Sequence, residues 1–547
     1  MKSTCVGASE GVGSGGGGDR AENERAKSAV KSIHSSVKGV GVVFVALLVL
    51  VVLISVRWID RVPFLLKTSS SSSSSSSTVT EKQISSHYDH AHPRRIPISF
   101  ACPPNGTSVE HLSCTPRSPP LRTTRTAAGA KTCPGYFRYI HEDLRAWRGA
   151  EGITRAAVEG ARRFAHFRLV VLGGRAFVER YARPYQTRDV FTLWGILQLL
   201  ARRPGRVPDL DLMFNCEDPP LVLLDRYRRR RRRPTRRRCR RSSATARTTP
   251  PPTSSSPTGP SGADKAMGAT FRGSEEGNER VKWKDREPYA FWKGNPSVSP
   301  SREDLLKCNV SNGQEYNARL FTQNWDSETQ SGFKKSDLAS QCVYRYKIYI
   351  DGKSWSVSEK YILACDSPML LVTTPYQDFF MRGLMPGHHY WPIKPDRKCQ
   401  SIKFAVDWGN SHPDEAQAIG KAGSGYIQEE VKMDYVYDYM LHLLTEYAKL
   451  LRYKPTVPEK ATELCLESMA CAAEGLEKTF MMDSMAKWVH DSDPCTIPPP
   501  FDPKELEEMS RKRDEAIKQV RYRVTRALNP PHYGPSQCGW VITQSYS

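Results

Sequence analysis

Residues 342–391, CVYRYKIYIDGKSWSVSEKYILACDSPMLLVTTPYQDFFMRGLMPGHHYW, contain the pattern that decides the fold. Residues 344–350 alternate aromatic or β-branched side chains with basic ones, which predicts a strand. Asp351-Gly352 interrupts this alternation, as a turn does at the end of a strand. The apolar run at residues 369–372 predicts a second strand, buried on both faces.

A short helix is predicted between these two strands. Ser354 or Ser356 is placed to cap it, and it is expected to run to about Ala364. Strand, glycine turn, helix and strand together form a βαβ unit. Because the N-terminus of such a helix attracts diphosphates, this unit is where we expect a nucleotide to bind.

The length and the charge bound what the rest of the chain can be. A chain of 547 residues is too long for one compact core, so two or more domains and some non-globular segments are expected. The formal net charge is +22, and the 12 arginines of residues 226–241 account for more than half of it. No recognisable nucleic-acid-binding module accompanies this arginine tract, so we favour a disordered, solvated insert and predict no nucleic-acid partner.

The 14 cysteines are dispersed and do not form CxxC pairs with zinc spacing. We therefore predict no metal site. Dispersed cysteines behind a membrane anchor fit an oxidising lumen. Two Asn-x-Ser/Thr sequons, at Asn105 and Asn309, are compatible with glycosylation in that compartment.

The N-terminal part predicts a membrane anchor followed by a linker. Residues 1–38 are Gly/Ser-rich and form a disordered cytosolic tail, and residues 39–57 contain an apolar run long enough for one transmembrane signal-anchor. A cleaved signal peptide is the alternative, but the run starts late and lacks a clear cleavage site. Residues 58–130, with nine consecutive serines, form a flexible lumenal stem.

Strand patterns mark the first ordered region. Residues 167–172 and 176–181 are predicted strands around Gly173-Gly174, a hairpin signal. Residues 209–215 form another strand, which ends near Asp218. A carboxylate at the end of a strand, followed by two prolines, is where α/β folds place their chemistry. A plain strand-terminating turn is the alternative.

Helix signals occur on both sides of this region. Thr154 and Thr187 are candidate N-caps of two helices, and residues 411–414, Ser-His-Pro-Asp, match a capping box. Residues 431–451 and 503–528 predict long amphipathic helices that pack across the domains.

Six blocks of the sequence together resemble one known family, the CAP10-domain or Rumi-type protein O-glucosyltransferases (glycosyltransferase family 90). The residues of these blocks are most similar to those of plant-type members. The match covers residues 131–224 and 275–530. The blocks are CPGYFRYIHEDL from 133, QTRDVFTLWGILQLL from 186, VPDLDLMFNCEDPP from 207, REPYAFWKGNPSVSPSRED from 286, WSVSEKYILACDS from 355 and FAVDWGNSH from 404.

The resemblance implies an α/β fold of GT-B type, with two Rossmann-like domains. Residues 131–224 would be the acceptor-side domain, residues 275–430 the nucleotide-sugar domain, and residues 431–547 the C-terminal helices and tail. It also implies inverting, metal-independent transfer of glucose or xylose from UDP-glucose or UDP-xylose to a hydroxyl of a protein or cell-wall polysaccharide. No cofactor is needed. The implied location is the Golgi or endoplasmic reticulum membrane, single-pass type II, with the catalytic part lumenal.

The family's site residues carry over onto matching positions. Asp218 matches the catalytic aspartate, a general base that takes the proton of the acceptor hydroxyl. Asn295 and Arg302 fall where the family contacts the nucleotide-sugar, and Arg302 has the permanent charge and planar donors that suit a diphosphate. Cys342 and Cys365 match a family disulfide.

The family's donor-binding loop matches residues 353–358. Animal enzymes have an arginine where Ser358 stands, so the neutralisation of the leaving UDP must differ in this chain. The serine hydroxyls and backbone N–H groups of the loop suit phosphate oxygens. Its residues are Lys353, Ser354, Trp355, Ser356, Val357 and Ser358.

Asp209-Leu-Asp211 admits one rival interpretation. A DxD sequence is the manganese-binding signature of the GT-A glycosyltransferase architecture. Strand alternation puts both carboxylates on one face, where they serve either a metal or a hydrogen-bond network. The flanking family blocks argue against the metal.

Residues 225–274 depart from the family. The tract of arginine, proline and serine stands where relatives have an aromatic-rich segment that shapes the acceptor side, and it resembles translated non-coding sequence from a faulty gene model. A degenerate, non-catalytic membrane-anchored binding or scaffold protein is therefore the alternative to an enzyme.

We predict that the purified chain binds UDP but transfers sugar poorly, because the insert replaces the acceptor-side segment and leaves the donor loop unchanged. Calorimetric UDP titration and a transfer assay test this. Efficient turnover with residues 225–274 present, or a failure to bind UDP, would contradict it. Sequencing the transcript across residues 220–280 shows whether the insert is genuine.

Overall fold

A computed structural model describes residues 96–103, 114, 131–148, 152–184, 187–218, 276–310, 314–331, 339–490 and 492–528. The predicted membrane anchor, most of the stem with Asn105, and the insert at 225–274 lie outside these residues. Within the described part of the chain, no helix combines the length and the apolar character needed to cross a membrane.

Nine strands lie within the described residues. They are β1 (Phe167–Leu172), β2 (Arg175–Arg180), β3 (Leu210–Phe214), β4 (Glu287–Gly294), β5 (Ala318–Thr322), β6 (Tyr344–Tyr349), β7 (Met369–Val372), β8 (Tyr390–Ile393) and β9 (Thr462–Leu464).

The α-helices of the described residues alternate with these strands in the second half and follow them at the C-terminal end. They are α1 (Tyr139–Asp143), α2 (Arg155–Gly160), α3 (Arg188–Arg202), α4 (Pro300–Leu305), α5 (Trp325–Gln330), α6 (Glu359–Leu363), α7 (Lys398–Ser411), α8 (Pro413–Gly425), α9 (Met433–Ala448), α10 (Leu466–Ala470), α11 (Gly475–Ser484) and α12 (Pro503–Leu528).

Strands β4 to β8 form a parallel sheet in the order β5-β4-β6-β7-β8. This is the doubly wound 2-1-3-4-5 order, in which the chain leaves the first strand on one side and returns on the other. The βαβ unit predicted from residues 344–372 is confirmed: β6 and β7 are parallel neighbours, with Lys347 opposite Met369. The α/β class is therefore confirmed, and the topological switch point lies between β4 and β6.

Two predicted helix caps are wrong. Helix α6 has only five residues and follows Ser358, so neither Ser354 nor Ser356 caps it. Ser356 is already engaged, because its N–H donates to the Tyr349 hydroxyl at 3.0 Å. The capping box expected at residues 411–414 is also not formed, since the Ser411 hydroxyl donates back to a carbonyl of its own helix α7.

The first sheet is antiparallel, in the order β3-β1-β2-β9. The predicted hairpin is confirmed, with Gly173 and Gly174 at φ of +56° and +78°, the left-handed conformation that a two-residue hairpin turn requires. So tight a turn makes antiparallel neighbours, whereas parallel strands need a long crossover. The described strands of residues 131–224 are therefore not Rossmann-like, and the GT-B arrangement stays a prediction.

The C-terminal region completes the first sheet. Strand β9 pairs with β2, more than 280 residues earlier in the sequence. Three disulfides also join the C-terminal region to the start of the described chain: Cys102–Cys471, Cys114–Cys465 and Cys133–Cys495.

Helix α12, predicted as residues 503–528, is confirmed and contacts both halves of the structure. Glu505 accepts two hydrogen bonds from Arg138, and Arg513 donates to the carbonyl of Arg382. Val520 is buried in the core of the parallel sheet. A single hydrophobic cluster also contains Leu169 of β1 and Leu371 of β7, so the two sheets share one core.

A buried ion pair holds the centre of the first sheet. The Arg168 guanidinium on β1 donates to both carboxylate oxygens of Asp211 on β3, at 2.8 and 2.6 Å, and this contact raises the pKa of Arg168. The Tyr453 hydroxyl donates to the same carboxylate at 2.8 Å. The other acid of the DxD sequence, Asp209, is exposed and accepts from the Gly173 N–H at 2.8 Å. Both carboxylates thus belong to a structural hydrogen-bond network.

We predict that Asp211→Asn lowers the free energy of unfolding by about 3–5 kcal/mol, because it leaves the Arg168 charge buried and unpaired. Chemical denaturation measures this. Asp209→Asn is the matched control, since it changes the exposed acid of the same pair and should cost well under 1 kcal/mol. Equal losses in both variants would show that the buried pair has no special role.

Candidate active site

The carboxyl ends of β4 and β6 meet at the switch point, and Arg302 of α4 occupies the space between them. Its guanidinium donates to the carbonyl of Asn295 at 3.3 Å, which follows β4. It also donates to the carbonyls of Ile350 and Asp351, at 3.3 and 3.0 Å, which follow β6. A fourth hydrogen bond, at 3.2 Å, goes to the Ser356 hydroxyl. One side chain therefore joins both loops of the cleft where α/β sheets bind ligands.

The charge of Arg302 has an unusual environment. All four hydrogen-bond acceptors are uncharged oxygens, and among the described residues no carboxylate lies within ion-pair distance of the guanidinium. Burial lowers the pKa of Arg302, although Tyr349 and Asp351 partly oppose this effect. Arg302 is partly buried. A partly buried cation without a direct counter-ion favours the binding of an anion.

The predicted donor loop forms a compact turn beside this arginine. The Ser356 and Ser358 hydroxyls are 3.0 Å apart, and Ser354 is buried. Trp355 and Val357 are partly buried, and Lys353 is exposed. Of the predicted donor residues, the structure joins Asn295, Arg302, Ser356 and Ser358 through hydrogen bonds.

Three residues that the sequence analysis missed complete this cluster. Ser299 caps α4, accepting from the Arg302 N–H at 3.4 Å. Asp351, whose pKa is raised by burial, accepts from the Thr374 hydroxyl at 2.9 Å. The position of Asp351 directly after the predicted strand β6 could have identified it as a site residue from the sequence. Thr374 follows β7, and only the sheet order brings it close.

Asp218 lies beyond the end of β3, in the region of the first sheet. One carboxylate oxygen is 2.5 Å from the guanidinium of Arg188, at the start of α3, and the side chain is 39% exposed. Arg188 also donates to the carbonyl of Cys216 at 2.9 Å. The aspartate is thus oriented by an arginine and is reachable from solvent.

The loop that carries Asp218 is braced by the start of β1. The Cys216 N–H donates to His166 Nδ1 at 3.1 Å, and the Asn215 side chain donates to the carbonyl of Phe164. Burial raises the pKa of the Cys216 thiol to about 12, so this cysteine is an inert packing residue. No local sequence pattern identified His166 or Arg188 as a site residue.

The sequence profile named Glycosyl transferase family 90 matches residues 128–523, more than half of the chain. The chain belongs to this family. The resemblance inferred from the six sequence blocks is thereby confirmed.

Curated relatives show how far the similarity extends. Protein O-glucosyltransferase 1 of Homo sapiens is 25% identical over 340 residues, which cover 60% of this chain and 83% of the relative. The same-named protein of Bos taurus is 30% identical over 180 residues, 32% of this chain and 45% of the relative. The O-glucosyltransferase rumi homolog of Anopheles gambiae is 27% identical over 177 residues, which cover 31% of this chain and 44% of the relative. The chain thus matches less than half the length of the bovine and mosquito relatives.

Two cysteines of this family 90 chain close the βαβ unit. A disulfide joins Cys342, before β6, to Cys365, after α6, the pair that the family resemblance implied. The buried amine of Lys347 donates to the Cys365 sulfur at 3.3 Å, and burial lowers the pKa of this lysine to about 7.

The sequon residue Asn309 packs against the edge of the parallel sheet. Its side-chain amide pairs with both main-chain groups of Leu320, each at 3.4 Å. The side chain is partly buried. Glycosylation at Asn309 stays a prediction, and it would have to preserve or replace these contacts.

Two acids are buried behind the donor loop. Glu359, the first residue of α6, has no hydrogen-bond partner for either carboxylate oxygen among the described residues, and burial raises its pKa well above the usual range. Asp378 accepts from the Phe379 N–H, and burial raises the pKa of Asp378 to about 6, with Lys360 opposing the rise.

We predict that Asp378→Asn alters the pH dependence of stability. The pKa of Asp378 is higher in the folded than in the unfolded chain, so its contribution falls as the pH rises from about 4 to about 6, by roughly 3 kcal/mol in total. The asparagine variant lacks this loss and should gain stability relative to the parent chain over that range. Denaturation at several pH values measures it, with the exposed Asp396→Asn as control. Parallel pH profiles of parent and Asp378→Asn would refute the prediction.

Proposed function

We propose that this protein is a membrane-anchored glycosyltransferase that transfers glucose or xylose from a UDP-sugar to a hydroxyl of a protein or a cell-wall glycan. One observation carries the proposal: the partly buried guanidinium of Arg302, which has no carboxylate partner among the described residues, lies at the switch point of a doubly wound sheet in a family 90 chain. A dianionic diphosphate is the ligand that this position favours.

The donor is held by the loops after β4 and β6. Arg302 neutralises diphosphate charge, and the Ser356 and Ser358 hydroxyls donate hydrogen bonds to phosphate oxygens. The loop has Ser358 where the animal enzymes have an arginine. Arg302 reaches the loop from another helix, so the positive charge is supplied although the loop itself lacks an arginine.

Asp218 acts as general base in this mechanism. Its carboxylate takes the proton of the acceptor hydroxyl while that oxygen attacks the anomeric carbon of the donor sugar. The bond from the anomeric carbon to the diphosphate oxygen breaks, and its electron pair leaves with UDP. Attack opposite the leaving group inverts the anomeric configuration. Arg188 is a positioning residue that orients the carboxylate toward the acceptor.

No metal ion or cofactor takes part in this proposal. The leaving group is stabilised by a fixed guanidinium and hydroxyl groups, which do the electrostatic work that a metal performs at a DxD site. The carboxylates of Asp209 and Asp211 are engaged by the first sheet and play no catalytic part.

The disulfides support a lumenal location. Five pairs join ten cysteines of the described residues, a number that is rare in a reducing cytosol. We therefore propose a single-pass type II protein of the Golgi or endoplasmic reticulum membrane, anchored by residues 39–57. The name protein O-glucosyltransferase, which several relatives carry, supports a protein acceptor over a polysaccharide.

A second candidate is a non-catalytic, membrane-anchored binding or scaffold protein. The observation that favours it is the insert at residues 225–274, which begins seven residues after Asp218 and has an arginine-rich composition foreign to the family.

We predict that Asp218→Asn lowers sugar transfer by about 10²- to 10⁴-fold and leaves UDP affinity unchanged, because the variant removes the general base and spares the donor loops. Radiolabelled transfer and calorimetric UDP binding measure the two effects. Unchanged transfer would remove Asp218 from the mechanism. Transfer absent from both proteins, with UDP binding retained, would favour the scaffold candidate.

We predict that Arg302→Lys weakens UDP binding by about tenfold or more, because a lysine keeps the charge and loses the planar donors that join both loops. Arg319→Lys is the matched control, an arginine of β5 paired with Glu315 at the surface. Thermal unfolding of both variants separates binding from folding. Equal UDP affinity in Arg302→Lys and the parent chain would refute the donor site.

A further inference from the structure

A cationic edge of the first sheet adjoins the Asp218 loop. Strand β1 begins where β2 and β3 end, since Phe167 pairs with both Arg180 and Phe214. Strand β9 begins at the same end, because Thr462 pairs with Val178 of β2. The loops beyond these strand ends therefore lie side by side, at the strand spacing of about 5 Å.

These loops carry an excess of exposed positive charge. The segment before β1, the end of β2 and the segment before β9 line a cleft of about 770 Å³. Its cationic residues are Arg162, Arg163, Arg180 and Lys460.

Two acids line the cleft beside its four cations, Glu179 and the exposed Glu159, so the lining keeps a formal charge of +2. Glu179 is buried and already accepts from Arg162 at 3.4 Å and from the Tyr181 hydroxyl at 2.8 Å. Among the described residues, no carboxylate forms an ion pair with Arg163, Arg180 or Lys460. Three cations of the cleft therefore lie outside any ion pair of the described residues, and Glu159 is the exposed acid that partly offsets them.

The cleft wall and the Asp218 loop are one hydrogen-bonded unit. The carbonyl of Phe164, next to Arg163, accepts from the Asn215 side chain. His166 accepts from the Cys216 N–H through its ring, and its carbonyl accepts from the Tyr181 N–H at 2.8 Å. A ligand in the cleft would thus lie against the same scaffold that carries the proposed general base.

The two aromatic rings of this edge each already contact an arginine side chain. Arg162 lies over the Tyr181 ring at 4.6 Å, and Arg163 lies over the Phe164 ring at 4.6 Å. Sugar-binding clefts offer aromatic faces, whereas here each ring has a guanidinium on one face. Recognition by charge is therefore favoured over stacking against a glycan.

We propose that this edge binds an acidic polypeptide segment of the acceptor, with carboxylates flanking the hydroxyl that is presented to Asp218. The proposal rests on the proposed function, since it names the substrate class of that site. Each exposed ion pair contributes little by itself, but several along one edge steer and orient a charged chain, in a way that salt screens.

The test compares the double variant Arg163→Glu/Arg180→Glu with the parent chain. The control is Lys421→Glu, an exposed lysine on α8 beside the other sheet. The full chain is used throughout, so every protein carries the same arginine tract and its charge-driven binding cancels in the comparison. The probes are a fluorescent peptide with one serine flanked by glutamates, the same peptide with glutamines, and an oligogalacturonide as an acidic glycan.

We expect the double variant to bind the glutamate peptide about tenfold more weakly than both the parent chain and the control, and the glutamine peptide equally. Raising the salt concentration from about 0.05 M to about 0.5 M should erase the difference. Thermal unfolding should change little, because no carboxylate of the described residues pairs with Arg163 or Arg180 and the contact that is lost, Arg163 over the Phe164 ring, is exposed.

An equal loss in the Lys421→Glu control, or no loss in the double variant, would overturn the proposal. A loss confined to the oligogalacturonide would replace the peptide with an acidic glycan as the occupant. UDP binding is measured in the same preparations: if UDP does not bind while the peptide effect is present, the proposed function fails and the acidic docking edge remains.

Discussion

The hydrogen bonds of Arg302 are the interaction on which the donor side of this protein depends. The guanidinium reaches the carbonyls that follow β4 and β6, the two strands that diverge at the switch point, and also a hydroxyl of the serine turn. A planar guanidinium with five N–H donors can join loops in this way, whereas the compact ammonium group of a lysine cannot. The shape of the cleft and its positive potential therefore have one common source.

Arg168, a buried arginine of the first sheet, shows the contrast between structure and function. Arg168 donates both arms of its fork to the carboxylate of Asp211, and that contact raises the pKa of the guanidinium. Arg302 has carbonyl and hydroxyl partners, and burial lowers its pKa. The first arginine is neutralised inside the sheet and holds β1 to β3. The second keeps an unbalanced charge at a cleft, which is a property expected of a site that awaits an anionic substrate.

Several local features of the chain were predictable because their causes are local. The Gly173-Gly174 hairpin, the alternation of residues 344–350 that forms β6 and the 26-residue helix α12 depend on nearby residues, and all three are confirmed. The serine caps failed for a different reason. Ser356 and Ser411 have hydroxyl groups suited to capping, but the Ser356 hydroxyl lies against Arg302 and the Ser411 hydroxyl donates within its own helix.

The sequence by itself determined the family, the α/β class and the residues around which a donor site is proposed, since these depend on ordered blocks and on patterns of period two or 3.6. Only the tertiary structure decided that the first sheet is antiparallel, that the three-residue strand β9 completes it, and that Asp211 pairs with Arg168 rather than lying free. Such features arise from pairing between residues far apart in the chain, and the free energy that selects them is gained only when the core closes. The cationic edge beside Asp218 belongs to the same class, because three separate segments contribute to it and none carries the pattern alone.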